Sequence, residues 1–337
     1  MTFNDLSETF LDMTNLELES ISRSQPFSNG RAAWADWTTE LYSFGFCLRD
    51  ETNYPNYLPI FATADHGAIF GSRIEFHEAN SSMPLYITHN QRKVERLKDF
   101  FSGDVIHAPH PWAGWRRRNF PKTEGTGSLV FVPHSNGHTY PITEISDFVN
   151  ELNALDSKFH PITLCLHMHD INAGLHMLLR PHGFKLSTAG NTSNRNFAER
   201  FYSILMKHRY VLSPSIGSHA IYALEAGKEF YHLNEIPQKN SSTGNLKSPI
   251  YNYRENFDVN EEFEQFEHFV NMLNFGAKRD SEFIEQYVQF ALGLDANITA
   301  HELHDLLMSS LRKSLRQIPY LYYQQGSNLI KNYLASD

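Results

Sequence analysis

Apolar residues in this chain fall in short blocks separated by polar, Gly- and Pro-bearing stretches, and the period within each block sets the element expected there. Over residues 1 to about 50 the spacing is loosely helical: Phe10, Leu11, Met13, Leu16 and Leu18 recur three and four apart, and "WADWTTELYSFGFCLR" continues the pattern after "PFSNG". Short runs rich in β-branched and aromatic residues follow. Tyr57 to Thr63, "MPLYITHN" and "GDVIHAPHPW" read as strands, with "QRKVERLKDFF" as a helix between the last two. From Ser128 the alternation becomes regular, with "SLVFVPHS", "PITLCLHMHD", "FKLSTAG" and Tyr210 to Leu212 as strands and amphipathic helices between them. Repetition of this kind, wound by right-handed crossovers, predicts an α/β fold with doubly wound parallel sheets. "WRRRNFPKTEGTGS", Trp115 to Ser128, turns abruptly toward Arg, Lys, Gly and Pro and reads as a linker between two lobes. Asn234 to Asn252 reads as a polar surface loop, and amphipathic helices follow, one of them opened by Thr299 as an N-cap. The expected division is 1–124, 125–250 and a helical segment 251–337.

The stretch from Tyr210 to Glu235 organises the rest. It reads as a strand, a Ser- and Gly-rich turn, the Ala-rich helix "SHAIYALEAG" stopped by Gly227, and another strand. Gly217 is expected to free the backbone for the turn. The turn gathers the hydroxyls of Ser213, Ser215 and Ser218, with His219 beside them, at a helix start whose free N–H groups suit a phosphate. Any βα repeat needs some such turn, so its neighbours give it weight. In an open parallel sheet the strand ends share one rim, and here that rim offers His134 and Ser135, His167 to Asp170 with His169, Gly190 and Asn191, and Ser213 to His219. Glu225 either hydrogen-bonds a ribose or is a solvated helix residue.

The first lobe's strand ends carry Asp65-His66-Gly67, then Glu75 and Glu78, then His107 and His110. A histidine before a glycine at a strand end suits a general base, because imidazole titrates near working pH and glycine admits a substrate to the backbone; the plain alternative is a hydrogen-bonded histidine before a turn. Alternation would place His167 and His169 on one face of a strand, as a two-His metal site requires, but no spacing such as HExxH accompanies them, and no metal is expected. Arg116 to Arg118 suit a phosphate or an acidic acceptor, or form a solvated linker face.

Charge narrows the partners. With 29 Lys and Arg against 38 Asp and Glu the net charge is −9, which argues against a nucleic-acid partner. Two cysteines allow neither a disulfide framework nor a zinc-finger spacing and fit a reducing compartment. The first residues carry acids where a signal peptide carries bases, and no apolar run reaches about 18 residues. A cytoplasmic protein is expected, with peripheral contact at the inner face of the membrane and a homodimer both left open.

Two α/β lobes joined by a linker, with ligand groups on facing strand ends, resemble the GT-B glycosyltransferases over about residues 50 to 235. "PSIGSHAIYALEAGKEFY" looks like the donor-binding segment of that class, and "ADHG" with "APHP" is similar to bacterial surface-polysaccharide transferases, including CDP-glycerol and CMP-sugar transferases. The resemblance implies two Rossmann-like lobes, the first on the acceptor side and the second holding the nucleotide sugar, with added C-terminal helices. It implies transfer of a sugar from a nucleotide-activated donor to a glycan or lipid-linked glycan acceptor in capsule or O-antigen synthesis, with no cofactor beyond that co-substrate. His66, with Glu78, would be catalytic. Asp65, Gly67, His110 and Arg116 would face the acceptor; His134, Ser135, His169, Gly190, Asn191, Ser213, Ser215, Gly217, Ser218, His219 and Glu225 would hold the donor. The chain departs from the class in lacking a DxD motif, in carrying "IGSH" where many hexosyltransferases have "EGFG", and in placing "APHP" in the first lobe. A nucleotide-sugar epimerase of the same architecture is the other enzymatic reading, and a non-catalytic carbohydrate-binding or assembly protein the third.

Overall fold

The computed structural model describes residues 10–23, 36–132, 139–141, 145–233, 238–240, 246–247 and 257–315. The protein is α/β, with a parallel sheet in each of two Rossmann-like lobes. The first sheet runs β1 (Thr63–Ala64), β2 (Leu85–Thr88), β3 (Asp104–His107) in that order. Only Thr63 and Ala64 of the expected Tyr57 to Thr63 strand pair with β2. Pro59 has no N–H to give a ladder, and Tyr57 lies on the surface.

The second lobe holds five parallel strands: β4 (Ser128–Phe131), β6 (Ile162–Cys165), β7 (Lys185–Ser187), β8 (Tyr210–Ser213) and β9 (Glu229–His232), in the order β7-β6-β4-β8-β9. The chain starts in the middle at β4, lays two strands to one side, then returns to lay two on the other. Its direction reverses between β4 and β8, and ligands bind at such a reversal in open α/β sheets. β4, β6 and β8 are apolar almost throughout because helices cover both faces. A small antiparallel sheet joins β5 (Thr139–Pro141), β10 (Gln238–Asn240) and β11 (Leu246–Lys247).

The expected linker is half helix. His110 caps the helix Pro111–Asn119 with Pro111 at its first turn, where a missing N–H costs nothing, and only residues 120–127 cross to β4. This helix sits at the centre of the molecule. Trp112 is buried among Tyr42, Phe197, Phe201, Tyr202 and Tyr222, with its indole N–H donating to the Tyr42 carbonyl at 2.9 Å. Burying so large a ring stabilises by on the order of 3 kcal/mol. Helices Asn260–Met272 and Ser281–Ala291 add Phe266, Phe269 and Tyr287 to the same core. The helix over 300–315, opened by the reciprocal Thr299 and Glu302 bonds of a capping box, packs Leu303 and Leu307 on Ile60, Ala64 and Leu85 of the first lobe.

"HMHD" is not an alternating strand. β6 stops at Cys165, and the His167 ring accepts the N–H of His169 at 3.4 Å as the N-cap of the helix Met168–Asn172. Among the described residues no three His, Cys, Asp or Glu gather where they would hold a metal ion, and none forms a helix long and apolar enough to cross a membrane.

Candidate functional site

The loops at the C-terminal ends of β1 and β8 meet where the two lobes face each other. The loop after β1 carries Asp65, His66 and Gly67, and the turn after β8 leads into the helix Ser218–Glu225. Ala68 donates its N–H to Ser218 Oγ at 3.0 Å, and a Cβ on Gly67 would stand 2.6 Å from that oxygen. Gly67 keeps this approach open, since a Cβ there would force the Ser218 hydroxyl to swing away and give up the Ala68 bond. The contact lies at the reversal point between β4 and β8.

His66 is partly exposed here. Tyr42 stacks on it with centroids 5.7 Å apart and Trp37 leans over it at 5.6 Å, with His77 behind Trp37 at 5.4 Å. Burial pushes its pKa below the ordinary 6.5, with the Asp65 charge pulling the other way, so the ring is a neutral base at pH 7. Tyr42 and Ser43 both hold left-handed backbones, φ 52° and 60°, which cost non-glycine residues about 1–3 kcal/mol each. Cross-lobe bonds hold them: Tyr42 N–H to the Thr192 carbonyl at 2.6 Å, and Ser43 Oγ accepting from Ala198 N at 3.0 Å.

Beneath His66 lies a buried charged triad. Lys93 Nζ is 2.7 Å from both Asp65 Oδ1 and Glu78 Oε1, and Tyr86 donates to Asp65 at 2.9 Å. Burial raises the Asp65 carboxyl, but Lys93 and His89 outweigh it and hold it well below the usual range; burial and the Asp65 charge push Glu78 up. Asp65 and Glu78 are therefore committed to Lys93 and do not face a substrate, which corrects the expected acceptor-side and catalytic roles. His110 is likewise buried: its Nδ1 accepts the Trp112 N–H at 3.2 Å and its Nε2 meets the Tyr222 hydroxyl at 3.0 Å, so the His-Pro pair holds a helix rather than a ligand.

On the second lobe the expected residues divide. Ser215, Gly217, Ser218 and His219 stay partly exposed at the helix start. His219 reaches the Ser215 carbonyl at 3.2 Å with its ring against Phe131. Gly217 has φ −141°, extended backbone that any residue adopts, so it is not there for its conformational freedom. Ser213 is buried, with its hydroxyl on the Phe131 carbonyl at 3.3 Å, and ties the turn together. Gly190 and Asn191 lie under the helix Asn15–Ser22, where Asn191 bonds Ile21 O and Ser22 O at 3.2 Å each. That helix covers Gly190 and leaves Asn191 half-buried at the rim. His169 lies on the surface beside His167. His134 and Ser135 fall outside the described residues. Glu225 and Arg116, expected on ribose and acceptor, pair with each other across the lobes: Arg116 Nε is 2.9 Å from Glu225 Oε2, its terminal nitrogen bonds Oε1, and Arg117 adds a contact at 2.9 Å. Both Arg116 and Glu225 are buried and spend their charges on each other, so the pair is satisfied without a ligand, which corrects the ribose and acceptor roles.

What the structure brings together is therefore His66 and Gly67 with Ser215 to His219, plus Tyr42 and Trp37, which the sequence reading passed over. No motif marks Tyr42, because its role follows from backbone forced by contacts 150 residues away, and "WADW" reads as part of a packing helix, which hides Trp37.

No protein-family model matches the chain, and no curated protein matches it. Among solved structures it is similar to a UDP-GlcNAc 2-epimerase from Neisseria meningitidis bound to UDP-GlcNAc, at 13% identity and a TM-score of 0.31, covering 73% of this chain and 69% of that one. A likeness at that level carries no argument about activity, and the fold description rests on the strand order given above.

Proposed function

We propose that the protein is an enzyme acting on a nucleotide-activated sugar held between its lobes, and that it transfers the sugar to a glycan hydroxyl. The observation that carries the reading is the contact of Gly67 and Ala68, in the loop that bears His66, with Ser218 at the reversal point of the second sheet. The nucleotide phosphate would sit at the positive start of the helix Ser218–Glu225, beside the partly exposed hydroxyls of Ser215 and Ser218. His66, neutral at pH 7, would take the proton of the acceptor hydroxyl. The acceptor oxygen then forms its bond to the anomeric carbon, and the bond from that carbon to the phosphate oxygen breaks with its electron pair leaving on the nucleotide.

A second reading is epimerisation of the bound sugar without an acceptor. The Ala68 to Ser218 bond favours it, since lobes already in contact at the phosphate seat suit an enclosed single substrate. Incubation with a panel of nucleotide sugars, with and without oligosaccharide acceptors, separates the two. Nucleotide released only with acceptor supports transfer; isomerised nucleotide sugar supports epimerisation; neither product from any donor overturns both.

A further inference from the structure

Three arginines among the described residues are buried, and two of them have a carboxylate: Arg49 pairs with Glu40 at 3.1 Å, and Arg116 with Glu225 at 2.9 Å. Arg200 has none. It lies in the helix Phe197–Leu205, which starts just past the β7 rim loop, is 8% exposed, and keeps Nε and Nη2 buried without a hydrogen-bond partner. Burial lowers the Arg200 pKa, yet a guanidinium is so basic that it keeps its proton at neutral pH and cannot escape this by neutralising itself. An unpaired buried charge costs several kcal/mol, so a fold that keeps one at its ligand rim is incomplete without an anion.

The surroundings say where that anion would sit. Around the point a Cβ on Gly190 would occupy, Ile21 Cγ2 lies nearest and the Arg200 Cζ is 3.4 Å away, so Ile21 fills the Gly190 side and the guanidinium borders the Gly190-Asn191 turn next to it. Asn191 in turn bonds the carbonyls of Ile21 and Ser22, and the buried hydroxyl of Ser22 also lacks a partner. Unsatisfied donors from two elements thus flank one turn at the C-terminal edge of the nucleotide-binding sheet.

We propose that Arg200 is the receptor for an oxyanion of the substrate, a phosphate or a carboxylate, taken at the Gly190-Asn191 turn with Ser22 as a second donor. Only the identity of the oxyanion's owner rests on the nucleotide-sugar reading. Two oxygens of a carboxylate or a phosphate match the parallel N–H donors of a guanidinium, which is why an arginine rather than a lysine serves here.

The test uses thermal shift on the full chain with inorganic phosphate, UDP and glucuronate as probes, on wild type, Arg200→Met and Arg200→Lys. Wild type is expected to be stabilised by at least one probe. Arg200→Met, which replaces an uncompensated charge by a neutral chain of similar length, is expected to melt higher than wild type without ligand and to lose the response. Arg200→Lys is expected to bind the responding probe at least tenfold more weakly. A response to phosphate and UDP assigns the oxyanion to the nucleotide, and a response to glucuronate alone assigns it to the sugar. A wild type indifferent to all three probes, an Arg200→Met protein less stable than wild type, or variants that respond as wild type does would each overturn the proposal. If UDP alone is silent, the nucleotide reading is in question while the phosphate and glucuronate results still decide Arg200.

Discussion

Ser218 Oγ accepts the backbone N–H of Ala68 at 3.0 Å, joining residues 150 positions apart on opposite lobes. Gly67 makes the bond geometrically open, because a Cβ there would lie 2.6 Å from the same oxygen. The hydroxyl thus has two tasks, holding the first lobe's base-bearing loop in register and standing at a helix start where a phosphate would bind.

Gly67→Ala is accordingly expected to cost about 1–3 kcal/mol of stability by overpacking and to lower turnover at least tenfold. Ser218→Ala removes the obstructing oxygen, so the double variant should recover part of the stability lost by Gly67→Ala alone. Chemical denaturation of the four proteins in the cycle measures this directly. An additive double variant would mean that the two positions do not touch in solution.

Arg116 and Glu225 give the sharpest stability forecast. Their side chains are 4% and 3% exposed, and Arg117 closes on the same carboxylate from outside. Glu225→Gln keeps the shape and removes the charge, which leaves the Arg116 guanidinium buried and unbalanced. A loss of about 3–5 kcal/mol is expected, visible as a large drop in Tm. Had Glu225 served a ribose, the same change would spare Tm and weaken nucleotide binding, so the two measurements together decide its role.

This pair also shows what the sequence could and could not convey. The βα alternation from Ser128 to His232 was legible because parallel strands covered on both faces must be apolar, and the capping signal at Thr299 is local enough to read directly. Arg116 and Glu225 were each read as ligand groups because charge in a strand-rim region or a basic run has no visible partner until the lobes are brought together. Lys93 was invisible for the same reason: on its helix it looks like one more solvated cation, and only the fold sets Asp65 and Glu78 at 2.7 Å on either side. His66 and Ser218 could be nominated separately from their positions at strand ends, but not their contact.

Buried histidines set the acid limit of the fold. His208 bonds the Ile204 carbonyl at 2.9 Å and Thr163 Oγ1 at 3.0 Å, and burial lowers its pKa from 6.5 to about 4. The unfolded chain takes up this proton near pH 6.5 and the folded chain only near pH 4, so between those values the unfolded state binds more protons. Stability is therefore flat above pH 6.5 and falls as pH drops toward 4, by about 3 kcal/mol when complete. Burial lowers His89 and His110 as well, and they act in the same direction. Urea melts at pH 7.5 and pH 4.5 should show the loss, and His208→Gln should reduce it; an unchanged pH dependence in that variant would clear His208 of the effect.

Activity should follow a different residue over the same range. His66 must be unprotonated to accept a proton, and burial keeps its pKa below 6.5, so kcat/KM is expected to rise with pH through that lowered value and level off by pH 7. His66→Ala should lose about 10²–10⁴-fold in kcat, with nucleotide binding by thermal shift retained. Full turnover in that variant would remove the base from the mechanism.

Trp37 separates transfer from epimerisation. Its indole is 50% exposed, capped into place by Asp36, which accepts the Thr38 N–H at 2.9 Å, and it lies 5.6 Å from the His66 ring. A rigid aromatic face left open beside a base is suited to the apolar face of a pyranose, and such contacts are worth about 0.5–1.5 kcal/mol. In a transferase, Trp37→Ala should raise the acceptor KM roughly threefold to tenfold while leaving the thermal shift by nucleotide and the acceptor-free hydrolysis of the donor unchanged. An epimerase has no second sugar to place there, so its turnover should be indifferent to the same change. Steady-state kinetics of Trp37→Ala at fixed donor and varied acceptor therefore tells the two reactions apart at a residue beside His66 and outside the proposed phosphate seat.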